Sequence, residues 1–284
     1  MMKAKRFDPY FVLLLLLFSC TERVDFQLNE PGKPHLVVYS EITSDIRQHE
    51  VRLSKSAPYF YNQPTKGVSG AVVTIDDGVQ TITLKEDPGR PGVYLTPFDY
   101  YGVVGRKYRL DISNVDINND GNMETYWAET TMKSSPPIKA ISVVRNNQWK
   151  GWDVLIYSED PANTEDYYLF KIYKNHVLYT DTISEYWTTD DRFFNGQKIN
   201  GPLVQHFDEE KGEAVHKGDT VVLEMDAITK AYFDYINEVQ TEIREKVPLF
   251  SGPSANAKGN ISNGALGFFA VMDVKRASVV YGGE

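Results

Sequence analysis

Short runs in which apolar and polar residues alternate fill most of this chain. Leu36 to Tyr39 and Glu50 to Leu53 are brief strand-like runs. Ala71 to Ile75 leads into Asp77-Gly78, a two-residue hairpin signal. The return run, Thr81 to Leu84, alternates Thr with Ile and Leu, which predicts one buried and one wet face. Gly92 to Leu95 follows a Pro-Gly turn. Tyr108, Leu110 and Ile112 alternate with Arg109, Asp111 and Ser113, and Tyr126 to Met132 reads as the strand that pairs back. Strands this closely spaced, with no helical period between them, predict an antiparallel sandwich rather than a parallel α/β sheet.

Ser134-Ser-Pro-Pro137 marks the expected boundary. Strand-like runs resume at Ile138 to Arg145, Trp152 to Tyr157, Tyr167 to Tyr173, Val177 to Ile183 and Val221 to Met225, with Lys174-Asn175 as a hairpin turn. The period then changes. Ile228, Ala231, Tyr232, Tyr235, Ile236, Val239 and Ile243 recur at helical spacing, while Lys230, Asp234, Glu238 and Glu242 face away. This predicts one amphipathic helix over about 227–246, capped by Asp226 and ended by Pro248. A last stretch, Asn260 to Met272, ends in strand. The expected fold class is mainly β: an immunoglobulin-like or prealbumin-like sandwich over 35–135, then a β-rich domain over 136–284 carrying the helix.

The amino terminus breaks this pattern. Lys3, Lys5 and Arg6 precede an apolar run from Tyr10 to Phe18, closed by Ser19-Cys20. A cationic segment, a short apolar one and a small residue at the cleavage point make a secretory signal. The run falls short of the about 20 residues that span a bilayer. Leu17-Phe18-Ser19-Cys20 resembles a bacterial lipobox, with the chain's single cysteine where lipid is attached. Residues 1–19 are then a signal peptide, Cys20 is lipidated, and 20–34 form a polar tether. The competing readings are a plain signal peptide with an incidental cysteine and a buried apolar segment.

Composition narrows the functional classes. The 284 residues carry a net charge of −9, and removing Lys3, Lys5, Arg6 and Asp8 with the signal leaves −11. Such a body disfavours a phosphate backbone or an anionic lipid surface, so membrane attachment falls to the lipid. One cysteine excludes an intramolecular disulfide framework and every multi-cysteine metal site.

Several pieces occur in one order: Leu36 to Tyr39, Val51 to Phe60, Val68 to Ile75, Pro91 to Tyr94, Val104 to Tyr108, Pro136 to Ile138 and Gly259 to Phe269. Behind a lipobox, this order resembles the Bacteroidota lipoprotein family DUF4249 over nearly the whole mature chain. The resemblance implies an outer-membrane lipoprotein, often encoded near TonB-dependent receptors. It implies no reaction and no catalytic residues.

Catalytic motifs are scarce. No G-x-S-x-G, H-E-x-x-H, Walker loop or G-x-G-x-x-G occurs. His206 to Glu210 with His216 could gather a metal ion but reads as a polar loop. Asp190-Asp191 beside Trp187 and Phe193-Phe194 suggests a two-carboxylate hydrolase, against which neighbouring acids on a loop would face water. Asp116, Asn118 and Asp120 occupy the first, third and fifth positions of a calcium loop, with Gly121 sixth. Trp127 stands at the twelfth position, so Glu124 could substitute only in another geometry, and D-x-N-x-D-G is also ordinary turn chemistry. Calcium there would be structural, and no cofactor is required.

Three aromatic groups, Tyr59-Phe60-Tyr61, Tyr100-Tyr101 and Trp187 with Phe193-Phe194, fall in expected loops. They either close the sandwich ends or form contact surfaces. The expectation is a non-enzymatic, lipid-anchored outer-membrane protein, an accessory or ligand-binding partner of a TonB-dependent β-barrel transporter. The alternatives are a surface structural or adhesion protein and, behind it, a hydrolase. The membrane face and the ligand stay open.

Overall fold

Sixteen strands, one α-helix and two 3-10 turns are formed by residues 34–57, 65–244 and 255–283, the residues that this computed structural model describes. The expected signal peptide 1–19, Cys20, the tether as far as Lys33, Tyr59, Phe60, Tyr61 and Pro248 lie outside them.

One long strand organises the molecule. The first half of β16 (Leu266–Val280) pairs parallel with β1 (Leu36–Thr43), from Val37 opposite Leu266 to Thr43 opposite Met272. Its second half pairs antiparallel with β15 (Thr220–Ile228), from Ala227 opposite Asp273 to Thr220 opposite Val280. Beyond β1 the sheet continues through β2 (Glu50–Lys55), β6 (Val93–Leu95) and β5 (Lys85–Glu86). Beyond β15 it continues through β11 (Tyr167–Lys174), whose far edge pairs with β12 (Val177–Leu178) and β13 (Trp187–Asp190).

Two smaller sheets cover one face of this shared sheet. The first is β4 (Thr81–Thr83), β3 (Val72–Asp76), β7 (Lys107–Val115) and β8 (Glu124–Thr131), in that order. It closes a core with Leu36, Val38 and Ile42 of β1 and Phe269 and Val271 of β16. The second is β14 (Lys198–Asp208), β10 (Gly151–Glu159) and β9 (Ala140–Asn146). It closes a core of Trp152, Val154 and Ile156 against Tyr168, Phe170, Leu223 and Met225. The alternation of strand side chains puts both cores on the same side.

The opposite face carries helix α1 (Lys230–Ile243). Tyr232 and Ile236 of α1 pack on Leu169, Phe268, Ala270 and Met272. The helix starts at the Thr229 cap, whose side chain accepts from the Tyr232 N–H at 3.3 Å. The expected cap, Asp226, is instead the seventh residue of β15 and fully buried. The ladder explains the shift: Asp226, Ala227 and Ile228 still pair with Leu169, Tyr168 and Tyr167, so the chain cannot turn before Thr229.

The chain is mainly β and built of sandwiches, as its alternation predicts. The division expected at 135/136 separates the two covering sheets but not the sheet beneath them, because Leu266–Met272 of the later half completes the first core. The connecting segment is fixed to that sheet: the Ser135 N–H donates to Asp273 Oδ2 at 2.9 Å. The β11–β12 turn is formed by Asn175 and His176, both with positive φ, one residue beyond the expected position. The expected strand over Val177 to Ile183 shortens to Val177–Leu178. Two strands, β13 and β14, occupy segments expected to be loops. Among the described residues no helix is long and apolar enough to cross a membrane.

Candidate functional site

Among the hollows of the described residues, two lie on opposite faces of the shared sheet: one is lined by β1, β2 and the later strands, the other by the later half alone. The first is charged. Lys171 lies in mid β11 and is 5% exposed. It stands opposite Glu224 of β15, which in turn stands opposite Arg276 of β16. The Lys171 ammonium donates to Glu41 Oε2 at 2.9 Å and lies 3.4 Å from Asp226 Oδ2 and 4.0 Å from Glu224 Oε1. Tyr232 of α1 donates its hydroxyl to the other Glu41 oxygen at 2.7 Å. Arg276 donates to Glu224 at 2.7 Å and to both oxygens of Asp45 at 2.9 and 2.6 Å. Four strands and the helix are therefore joined through one polar cluster.

Its electrostatics are uneven. Burial raises the Glu41 carboxyl, but the Lys171 charge and the hydrogen bonds from Lys171 and Tyr232 outweigh it and hold Glu41 below the usual range. Burial would lower Lys171; the charges of Glu41 and Asp226 raise it well above a normal lysine. Asp226 gets less of this help. Its contact with Lys171 is 3.4 Å long and poorly aligned, and burial, with the charges of Glu224 and Glu41, pushes it up to about 8 despite Lys171. It is therefore largely protonated at pH 7. The hollow beside the cluster measures 360 Å³ and is rimmed by Arg47, His49, Glu50, Arg52 and Asp181. Burial holds His49 at about 4, so this imidazole is neutral.

The second hollow is apolar and measures 260 Å³. It lies between the covering sheet of β14 and the edge strand β13. Antiparallel pairing sets Trp187 opposite Phe170 and Thr189 opposite Tyr168, so these four residues share the inner face of the shared sheet. Ile156 and Met225 complete its floor, and Phe194 and Pro202 its rim. β14 is the outer strand of its sheet. It carries an extra residue at two places, between Gln205 and Leu203 and between Leu203 and Asn200. Gly201, at φ +81°, supplies the backbone that this bend needs, and a side chain there would press on the Tyr157 ring.

The sequence-based candidates distribute as follows. Trp187 and Phe194 meet in the apolar hollow, whereas Phe193 is 87% exposed and outside its lining. Tyr100 is 5% exposed and packs edge-on to His49, so it is a core ring; its neighbour Tyr101 is exposed.

The Asp116 to Asp120 loop joins β7 to β8 and turns its carboxylates inward. Asp116 accepts from the Asp120 and Gly121 N–H groups at 3.1 and 3.0 Å, Asn118 Oδ1 from Asp120 at 3.0 Å, and Glu124 from Ile117 at 3.1 Å. A cation is already present there, since the Lys55 ammonium donates to the Ile117 carbonyl at 2.8 Å.

His206 and His216 are not brought together. His206 is in β14 and bonds Asp153 at 2.7 Å, and His216 pairs with Asp219. The expected polar loop is strand as far as Asp208 because Trp152 and Asp153 pair with Phe207 and His206. Asp190 pairs with Arg192, but Asp191 is 2% exposed rather than solvated. One oxygen each of Asp160, Asp166 and Asp191 lies within 4.8 Å of the others. They are acceptors for neighbouring donors: Tyr168 and the Gly196 N–H for Asp160, Thr164 for Asp166 and Asn195 for Asp191. The cluster thus ties two loops at the end of the second sandwich.

The Lys171 cluster was not foreseen. Its signal is charge set within apolar runs, Lys171 in Tyr167 to Tyr173 and Glu224 and Asp226 in Val221 to Ile228. A strand buried on both faces hides such a charge, which then needs partners.

Among solved structures, the chicken CNTN1 FN1-FN3 domains are similar at 13% identity and a TM-score of 0.26. The likeness covers 69% of this chain and 60% of that one, so this chain spans less than two thirds of its length. No curated protein matches. The family model described as "Domain of unknown function (DUF4249)" matches residues 21–278, from the residue after Cys20 to near the end of β16, and the chain belongs to that family.

Proposed function

We propose that this protein is lipid-anchored to the outer membrane through Cys20 and binds its ligand without transforming it, as an accessory of a TonB-dependent transporter. The observation that carries the anchor is Leu17-Phe18-Ser19-Cys20, behind a cationic segment and a short apolar run, with the only thiol of the chain at the lipid-accepting position. A triacylated cysteine exceeds the two-signal threshold for stable attachment. Binding rather than turnover is supported by the chemistry of the hollows: no titratable acid or base other than the Tyr168 phenol lines the apolar one, and in the charged one Lys171 and Arg276 are already paired with acids. The transporter role is drawn from family analogy.

The test is a native pull-down from detergent-solubilised outer membrane, comparing a C-terminally tagged wild type with Cys20→Ala. Wild type should incorporate labelled palmitate, fractionate with the outer membrane and bring down a β-barrel in stoichiometric amount. Recovery of membrane-bound wild type without a barrel would remove the transporter role and favour adhesion or scaffolding. Equal membrane fractionation of Cys20→Ala would remove the anchor.

A further inference from the structure

We infer that the apolar hollow between β13 and β14 is a binding site for a small, neutral, aromatic molecule of about two fused rings. This deepens the binding role proposed above and names the ligand class. Four observations converge on it.

The first is that the gap cannot be closed by another strand. β13 and β14 are both outer strands, one in each layer of the second sandwich, and the hollow is the seam between them. The two bulges of β14 interrupt its ladder, and Pro202 lacks an N–H, so this stretch of edge is poorly suited to an added strand. An extended peptide is therefore the wrong occupant.

The second is size. An engineered cavity of about 150 Å³ holds benzene. At 260 Å³ this hollow takes a body larger than one ring and smaller than three.

The third is chemistry. Trp187, Phe194, Tyr168 and Phe170 present four rings, and Met225 adds a polarisable sulfur. Rings and sulfur both favour an aromatic guest over an aliphatic one, through edge-to-face and sulfur–ring contacts. No Asp, Glu, Lys, Arg or His lines the hollow, so a charged guest would lose its hydration without a partner.

The fourth is the placement of polar groups. Thr189 and Asn200 stand at the lining while the floor is apolar. The Thr189 hydroxyl donates to the Asp190 carbonyl at 3.2 Å, which leaves its oxygen free to accept. The Tyr168 hydroxyl is committed to Asp160 at 2.7 Å. A guest with one weak donor, such as a phenol or an indole N–H, matches the acceptor at Thr189.

The probe is 2-naphthol, with 1-decanol as an aliphatic control of equal heavy-atom count, measured by calorimetry on the full mature chain. Wild type should bind 2-naphthol at a single saturable site in the micromolar range. Trp187→Ala and Phe194→Ala should each weaken it at least tenfold. Thr189→Phe, which fills the lining from an only partly buried position, should abolish it. Phe193→Ala, outside the lining, should bind as wild type does. Melting temperatures within a few degrees of wild type keep a binding loss from being read as unfolding.

No saturable binding by wild type, or unaltered binding by Thr189→Phe, overturns the site. Decanol binding as tightly as naphthol overturns the aromatic class. These outcomes are independent of the pull-down: a missing barrel leaves naphthol binding intact, and a missing naphthol site leaves co-purification intact.

Discussion

The charged hollow and the apolar one differ in what they lack. Around Lys171, the buried charges are held by partners within the protein, and Asp226, 3.4 Å from the Lys171 ammonium, is pushed by burial to keep its proton. Between β13 and β14 the surface is apolar, lined by rings and aliphatic side chains among the described residues. Perturbed carboxyls are commonly taken as marks of function. Here the perturbed groups tie elements together, and the ring-lined apolar hollow is the better sign of a ligand.

That contrast can be broken most sharply at Lys171. Lys171→Met leaves the buried Glu41 without its cation, while Glu224 keeps Arg276 and Asp226 keeps its proton, and removing one partner of a buried pair costs about 3 to 5 kcal/mol. Urea unfolding should show a loss of that size. A loss below about 1 kcal/mol would mean that the cluster is not structural. Ile236→Ala, beneath α1 and fully buried, should cost about 2 to 5 kcal/mol by the same measurement, as a purely apolar reference on the same face.

A smaller effect is expected at the helix end of the cluster. Tyr232→Phe removes the hydroxyl that donates to Glu41, at a cost of about 1.5 to 3 kcal/mol for a bond to a charged acceptor. Trp187→Ala, by contrast, should change stability by less than about 1 kcal/mol, because the ring is 46% exposed. If Trp187→Ala is the more destabilising of the two, the roles assigned to the hollows are reversed.

The pH dependence sharpens the same point. An unfolded aspartate releases its proton near about 4, whereas Asp226 in the fold keeps its proton up to about 8. The native chain then binds more protons across that window, so Asp226 makes stability fall as pH rises from about 4 towards 8. Glu41, held below its usual range, acts oppositely: the stability it adds at neutral pH is lost as pH falls through the acid range. Asp226→Asn should therefore flatten the decline in melting temperature between pH 5 and pH 8 and leave the acid limb unchanged. An unaltered decline would place its cause elsewhere.

The smallest effect belongs to the β7–β8 loop. Asp116→Ala deprives the Gly121 N–H of its acceptor and leaves the Asp120 N–H with Asn118 alone, and should cost about 1 kcal/mol. With the carboxylates engaged and the Lys55 ammonium in place, added calcium should not raise the melting temperature. A calcium-dependent rise would reopen the loop as a metal site.

Much of the fold was legible where burial is one-sided. Val73 and Ile75 face a core while Thr74 and Asp76 face outward, and the sequence alternates accordingly. The helix announced itself by its period, although its start moved because a β ladder held Asp226. β13 and β14 were illegible for a different reason. Trp187-Thr-Thr-Asp190 has one apolar residue, and the extra residues of β14 break the period of two around Gly201-Pro202, which reads as a turn. Those bulges form one wall of the apolar hollow, so the irregularity that hid the strand also shapes the site. Two of the four rings of the site could be named beforehand, Trp187 and Phe194. Its floor, from Ile156, Phe170 and Met225, reads simply as core until the two layers are seen to part.

The long strand that both sandwiches share has a consequence for assembly. Ser44 and Val274 bond across a separation of 230 residues, and β1 has no parallel neighbour until Leu266–Met272 arrives. Contacts of such range make folding slow, because the loop must close before the pairing stabilises it. An emerging chain therefore cannot finish its first sandwich early. It would stay open through synthesis of nearly all its length, and both halves would then be fastened late by one strand.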